Sequence, residues 1–343
     1  MLKVMVIGPF SMEHREASIV EGFRRSDCIV KECDYGDLAY SKAFLHRIQR
    51  RLAFGPLFDA ITKRVSIQAS NFMPDVLFFR RPLEFSPSMI KKIRTVHNAL
   101  YAAYNNDDPF SASYNDVRWR TCRSAIPEYD LHFAFRKHNI SQYYSAGAKA
   151  AFLWEPYFVP WIHFPTGVHS PSSGAFNLLF AMHAEPDERY SALHALIKNG
   201  YQVDVHTWLW DSLFGSADAQ LVGAKNPIYG VEYRSAINRA SATLCFFSKQ
   251  NNDELTSRVF EIPACGGLLL SWRTQRLTQL FKDRQEAFFF SSIDELLEIV
   301  KYLKENPEVV SEVKRRGHIR VLTSGYSVVD RCRGAVNIFN NFL

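Results

Sequence analysis

The sequence predicts an α/β protein built from two sheet-and-helix units of similar size, each with a buried parallel sheet. Three observations carry this. Short, almost wholly apolar runs, the mark of strands covered on both faces, alternate with helical-period segments along most of the chain. The alternation breaks at Pro160–Gly174 (PWIHFPTGVHSPSSG), with three prolines and two glycines, and then restarts. The length, 343 residues, is about twice the ~150 residues of a typical domain. The expected units are therefore 1–165 and 174–322, with a terminal segment 323–343.

In the first unit, KVMVIG opens as a strand, an amphipathic stretch from Glu13 to Arg25 follows as a helix, and CIVKEC as a second strand. Asp75–Arg80, Leu100–Asn105, Leu131–Phe135 and Ala150–Trp154 repeat the strand signal, with helices expected around Ser86–Arg94 and Ser111–Ala125. In the second unit the strands are FNLLFAM, YQVDVH, ATLCFF, LLLSW and AFFF. Helices are expected over Asp187–Asn199, Tyr233–Ala240, near Glu261, and over Ile293–Glu305 and Pro307–Leu322. The segment Tyr326–Leu343 carries apolar positions suited to a last helix.

Composition excludes several classes. A hydrophobic fraction of 47% and a charged fraction of 22% are those of a globular chain, not a disordered one. The apolar runs fall far short of the ~20 residues needed to cross a bilayer. MLKVMVIGPF is cut off by Gly8-Pro9 and reads as a buried strand rather than a secretion signal. The six cysteines show no CxxC pair or metal-finger spacing, and together these features lead us to expect a reducing, cytoplasmic location. Net charge is +6, and most of the excess is local: between Tyr40 and Ser66 six basic residues face only Asp59. A nucleic-acid partner, which wants a basic face or a recognisable module, is not expected.

Twin units of this kind take ligands in the cleft between them, outside the carboxyl ends of their strands. In the first unit that directs attention to Gly8–Met12, Arg80–Arg81, Asn105–Pro109 and Glu155–Tyr157; in the second, to Met182–Arg189, His206–Trp210 and Lys249–Arg258. The most informative stretch is KQNNDELTSRVFEIPACGG (Lys249–Gly267). A strand ends, a polar loop follows, and a helix begins that Thr256 or Ser257 is placed to cap. Unpaired N–H groups at such a helix start suit an anion, and Arg258 adds a fork for phosphate. Glu261, one turn on, suits a pair of sugar hydroxyls, each charge-assisted bond being worth ~1.5–3 kcal/mol. Cation, helix start and carboxylate in that order suit a nucleoside diphosphate.

The run RVFEIPACGG, with LFKDRQEAFFFSSIDELLEIVKYLKENPE after it, resembles the C-terminal half of the CgeB-like glycosyltransferases, among the group 1 glycosyltransferases of the GT-B fold. The resemblance extends through GVEYRSAINRASATLCF and FAMHAEPDER, and more weakly through YAAYNNDDPF and YDLHFAFRKHNISQYYSAGAKAAFLWEPYF. It implies two Rossmann-like domains facing a cleft, with the terminal segment 323–343 packing back on the first. It implies transfer of a sugar from a nucleotide-diphosphate sugar, with no cofactor and no metal. Glu261 would hold the donor's ribose, and Arg258 and Lys249 its diphosphate. Asp253 stands eight positions before Glu261, as the first of an acidic pair does in the wider superfamily, and this pairing implies retention of configuration. The loop usually bearing glycine reads Ala181-Met182-His183-Ala184, and Arg189 is an arginine the family commonly carries, a compensating phosphate contact. The acceptor would be a glycan, a lipid-linked sugar or another glycoconjugate in surface polysaccharide synthesis.

Acceptor activation wants a base from the first unit. Asp107 and Asp108 in NNDDP follow an expected strand and are the first candidates; Glu13 and His14 in GPFSMEHRE are the second. NNDDP is also turn and cap chemistry, and it lacks the Asp-x-Asp spacing of a metal site. Two rivals to a transferase stand beside it: a non-catalytic nucleotide-sugar-binding scaffold or sensor, and a sugar-nucleotide epimerase. In the basic segment, Phe44, Leu45, Ile48 and Leu52 form one helical stripe. Phe54, Leu57, Phe58, Ile61 and Val65 form another after Gly55-Pro56. Two helices packing on the sheet with a solvated basic face is the plain expectation. Peripheral contact of 40–66 with anionic lipid at the inner membrane face, or with a lipid-diphosphate acceptor, is the sharper one.

Overall fold

Val4 to Ile7 are fully buried, so the first strand lies inside a sheet rather than at its edge. The computed structural model describes residues 1–10, 15–166 and 176–343. It divides into two compact units, Met1–Glu155 with Val328–Leu343, and Pro156–Ser327.

In the first unit six parallel strands, β1 (Lys3–Gly8), β2 (Ile29–Asp34), β3 (Val76–Arg80), β4 (Leu100–Asn105), β5 (Leu131–Ala134) and β6 (Ala151–Leu153), lie in the order β2-β1-β3-β4-β5-β6. Its helices are α1 (Arg15–Arg24), α2 (Gly36–Ala39), α3 (Phe44–Leu52), α4 (Pro56–Phe72), α5 (Pro87–Val96), α6 (Val117–Ser124) and α7 (Asn139–Ser145). The helix expected from Ser111 begins only at Val117, because the Asp116 carboxylate accepts the Trp119 N–H (3.1 Å) and caps it there. The basic segment corrects a second expectation. α4 buries Leu57, Phe58, Ile61 and Val65 against the sheet, whereas α3 buries none of its nine residues.

In the second unit five parallel strands, β7 (Asn177–Ala181), β8 (Gln202–His206), β9 (Ala242–Cys245), β10 (Leu269–Trp272) and β11 (Phe288–Phe290), lie in the order β11-β10-β9-β7-β8. The helices are α8 (Glu188–Lys198), α9 (Trp210–Phe214), α10 (Ser216–Leu221), α11 (Gly230–Arg239), α12 (Arg258–Ala264), α13 (Gln275–Leu280), α14 (Ile293–Glu305) and α15 (Pro307–Thr323). Both sheets start at an inner strand, add one neighbour, then jump to the other side. Each therefore has a topological switch point, between β1 and β3 in the first and between β7 and β9 in the second.

The last helix, α16 (Val328–Asn340), belongs to the first unit and packs on α1. Gly22 makes the approach close: a Cβ there would lie 2.7 Å from Cys332 Sγ. The expected linker 160–174 falls partly outside the described residues; as far as Thr166 its start belongs to the second unit.

Candidate functional site

The switch point of the second sheet is spanned by one side chain. α12 follows β9, and its first residue, Arg258, donates Nε–H to the Ala181 carbonyl (2.9 Å) at the end of β7. Among the described residues its two Nη groups have no partner. α12 is anchored by buried Val259, Phe260 and Ile262 and ends at Gly266, whose φ of +77° only glycine adopts freely. At the end of the first turn, Glu261 accepts the Tyr233 hydroxyl on Oε2 (3.2 Å). Burial, then the Glu261 charge, pushes the Tyr233 phenol well up, so it stays a donor and Glu261 keeps its second oxygen for a ligand.

The start of α12 departs from expectation. Neither Thr256 nor Ser257 caps it: Ser257 is already helical (φ −55°, ψ −30°) and makes no side-chain cap bond. Thr256 gives its carbonyl to the Val259 N–H (3.1 Å), and the Ser257 carbonyl takes the N–H groups of Phe260 and Glu261 (both 2.9 Å). Tight turning has thus used amides that an anion would need, and the anion grip here falls to Arg258. The Ala181–Ala184 loop behaves likewise, since Met182 N–H donates to the His206 carbonyl (3.1 Å) and Ala184 N–H to that of Trp208 (3.2 Å).

Lys249 and Asp253 meet in a recess of about 310 Å³, lined also by Asp187, Glu188, Trp272 and Arg273. Carboxylates hold its cations. Lys249 Nζ lies 2.6 Å from Glu188 Oε1, and that hydrogen bond, chiefly, raises the lysine's pKa. Burial works to raise the Glu188 carboxyl, but Lys249 and the local backbone hold it below its ordinary value. Arg189, expected to reach phosphate, is 3% exposed and sits between Asp187 (3.0 Å) and Glu185 (3.3 Å). Its role is internal neutralisation at the start of α8, which Asp187 caps through the Arg189 N–H (3.0 Å). Arg273 is taken up by Asp283 (2.6 Å).

Sequence reasoning missed two features of this unit. Tyr233 as the partner of Glu261 comes from α11 and depends on a contact no local pattern signals. Beyond β7 and β8, exposed His183 and Trp208 pack edge to face (5.6 Å), and Trp208 does the same with exposed Tyr229 (6.3 Å), forming an aromatic shelf. A cluster of aromatic residues around the strand ends was the available signal.

In the first unit, Asp107 and Asp108 stand beyond β4 in different surroundings. Asp108 is 1% exposed, accepting from Asn139 Nδ2 (2.8 Å) and the Phe110 N–H (3.0 Å). It is the turn's own carboxylate, which corrects its expected place among the proton acceptors facing a substrate. Asp107 pairs with Arg81 Nε (2.7 Å) and keeps some exposure. Beside Arg81, Glu84 accepts the Tyr35 hydroxyl (3.0 Å), and burial raises its carboxyl pKa, a property of candidate bases that the sequence did not disclose. Glu13 and His14 lie outside the described residues. Among the described residues, no group of three or more His, Cys, Asp or Glu side chains is placed to hold a metal ion.

A family profile described as glycosyl transferase-like matches residues 189–336, from the start of α8 into α16. No curated protein matches the chain. Among solved structures, HepE of Anabaena, in complex with UDP and glucose, aligns with a TM-score of 0.70 and 11% identity over 99% of this chain and 100% of its own. Sucrose-phosphate synthase of Thermosynechococcus elongatus gives 0.67 and 10% over 100% and 99%. The lipopolysaccharide outer core galactosyltransferase WaaB gives 0.57 and 11% over the whole of both chains. At these identities the likeness establishes the fold. The chain has the GT-B architecture, two Rossmann-like units with parallel sheets, as its sequence led us to expect.

Proposed function

We propose that this protein is a glycosyltransferase that moves a sugar from a nucleotide-diphosphate sugar to a glycan or glycoconjugate acceptor. The observation that carries the reading is the pairing on α12: Arg258 reaching across the β7/β9 switch point, and Glu261 with one oxygen held by Tyr233. A guanidinium and a carboxylate one turn apart, at the crevice where such sheets take nucleotides, suit a diphosphate and the ribose diol. The shelf of Trp208 and Tyr229 offers a stacking surface for the base. The glycosyl transferase-like profile covers this segment, and UDP is the first nucleotide to try because HepE binds it. We retain the CgeB-like assignment on the RVFEIPACGG resemblance, and retention of configuration on the Asp253/Glu261 pairing.

Departure of the diphosphate is assisted by arginine charge, with no step assigned to a metal. Asp107 is the acceptor base we favour, with Glu84 beside it. A cytoplasmic site of action fits the six cysteines, all buried and unbridged, and synthesis of a surface glycan is the role we assign. A thermal-shift series with UDP, GDP, ADP, CMP and dTDP tests the donor class. One nucleotide should stabilise the protein, and Glu261→Ala should weaken its binding by at least about a hundredfold, the loss of two charge-assisted bonds of ~1.5–3 kcal/mol each. Full affinity in that variant sinks the ribose assignment.

A binding-only scaffold is the second reading. What favours it is that Lys249 and Arg189 are already neutralised by Glu185, Asp187 and Glu188, leaving little free charge for a leaving diphosphate. Both readings expect nucleotide binding; only the enzyme releases free nucleoside diphosphate from the donor.

A further inference from the structure

Helix α3 is mounted the wrong way round for a globular surface. Its polar residues His46, Gln49 and Arg50 turn toward the protein: Arg50 Nη2 donates to the Ser41 carbonyl (2.8 Å), and Gln49 Oε1 accepts the Leu57 N–H (2.7 Å). Its apolar stripe faces outward, with Phe44 71%, Leu45 67% and Leu52 60% exposed, Ile48 at 39%, and Phe54 just beyond at 77%. A contiguous outward stripe of this kind marks a surface that is covered in use. The cover is identified by charge. Arg47 and Arg51, one turn apart, run along one edge of the stripe, and Lys42 precedes it, while the helix itself carries no acidic residue. Among the described residues none of these three cations has a carboxylate partner, whereas Asp37 is already bound to Arg64 and Asp59 to Lys92.

We propose that α3 docks the protein on an anionic phospholipid surface. The helix lies in the plane of the interface, with Phe44, Leu45, Ile48, Leu52 and Phe54 among the acyl chains and the arginines at the phosphates. A second copy of the chain is the weaker occupant. A two-fold contact through this stripe would set Arg47 and Arg51 against their own equivalents without an acidic residue between them. The inference stands on α3 alone and does not depend on the reading of α12.

Cosedimentation of the full chain with vesicles tests it. The protein should pellet with phosphatidylcholine vesicles containing about a third phosphatidylglycerol and stay in solution with pure phosphatidylcholine, and high salt should release it. Arg47→Ala and Arg51→Ala should each weaken binding about fivefold. Phe44→Ser with Leu45→Ser should abolish it while leaving the melting temperature near wild type, since neither residue is buried in the fold. Three results would each overturn the proposal: equal binding to neutral vesicles, wild-type vesicle binding by the serine variant, or no vesicle binding together with a dimer that the serine variant splits into monomers.

Discussion

Asp107 and Asp108 are neighbours in sequence, identical in chemistry and different in what surrounds them. Asp108 is sealed in and holds Asn139 and the Phe110 amide, so its charge is spent on the loop. Asp107 is bound to a single arginine and remains partly open. Asp108→Ala should therefore destabilise the protein by about 1–3 kcal/mol, the cost of leaving buried donors unpaired, and lower the melting temperature measurably. Asp107→Ala should leave the melting temperature near wild type and cut sugar transfer while nucleotide affinity is kept. Equal melting losses in the two variants would refute the division. The sequence singled out this pair, but it could not rank its members, because Asn139, at the start of α7, and Arg81, just after β3, come from about 30 residues away along the chain. Lys249 and Arg189 show the same limit: their types and positions were readable, their capture by Glu188, Asp187 and Glu185 was not.

Elements were more legible than partners wherever burial is two-sided. VLFFR and LYAAYN are buried at every position and could only be inner strands, so pattern alone finds β3 and β4. α3 failed for the opposite reason: its stripe has helical period, but period does not say which side faces the protein. One element carries a polar group that its pattern hides. His132 on β5 is 3% exposed, stacks on Tyr143 (4.7 Å) and shares a hydrogen bond with the Ile126 carbonyl (2.9 Å). Burial lowers its pKa from 6.5 to about 4. The unfolded chain thus binds a proton in this window that the folded chain refuses. Stability from the neutral ring is full above pH 6.5 and falls as pH drops toward 4. Between pH 7 and pH 5 the loss from this group should be about 2 kcal/mol. Urea titrations at both values should show His132→Gln losing less stability on acidification than wild type; an equal loss would place the acid sensitivity elsewhere.

At the scale of the whole molecule, the chain builds two compact units and crosses back to finish the first. The second unit holds a buried cluster that runs from Phe158 to Tyr326, and the first unit holds several, one of them from Met5 to Tyr129. Yet the first unit is not complete at Glu155. Phe339 on α16 is fully buried among Phe23 (6.0 Å), Phe133 (5.9 Å) and Phe78 (6.4 Å), and Cys332 lies against Gly22. Two compact units should melt in separate transitions, each answering to its own internal contacts. Phe339→Ala removes a ring from a packed aromatic cluster and should cost about 3–5 kcal/mol in the first unit only. Nucleotide, bound through α12, should raise only the transition of the second unit. Scanning calorimetry of wild type and variant, with and without the stabilising nucleotide, reads both effects at once. The variant should shift one transition down and the ligand should shift the other up. A single transition that moves with both would mean that the last helix couples the units into one cooperative body, and that two compact units of the chain are not separate in their stability.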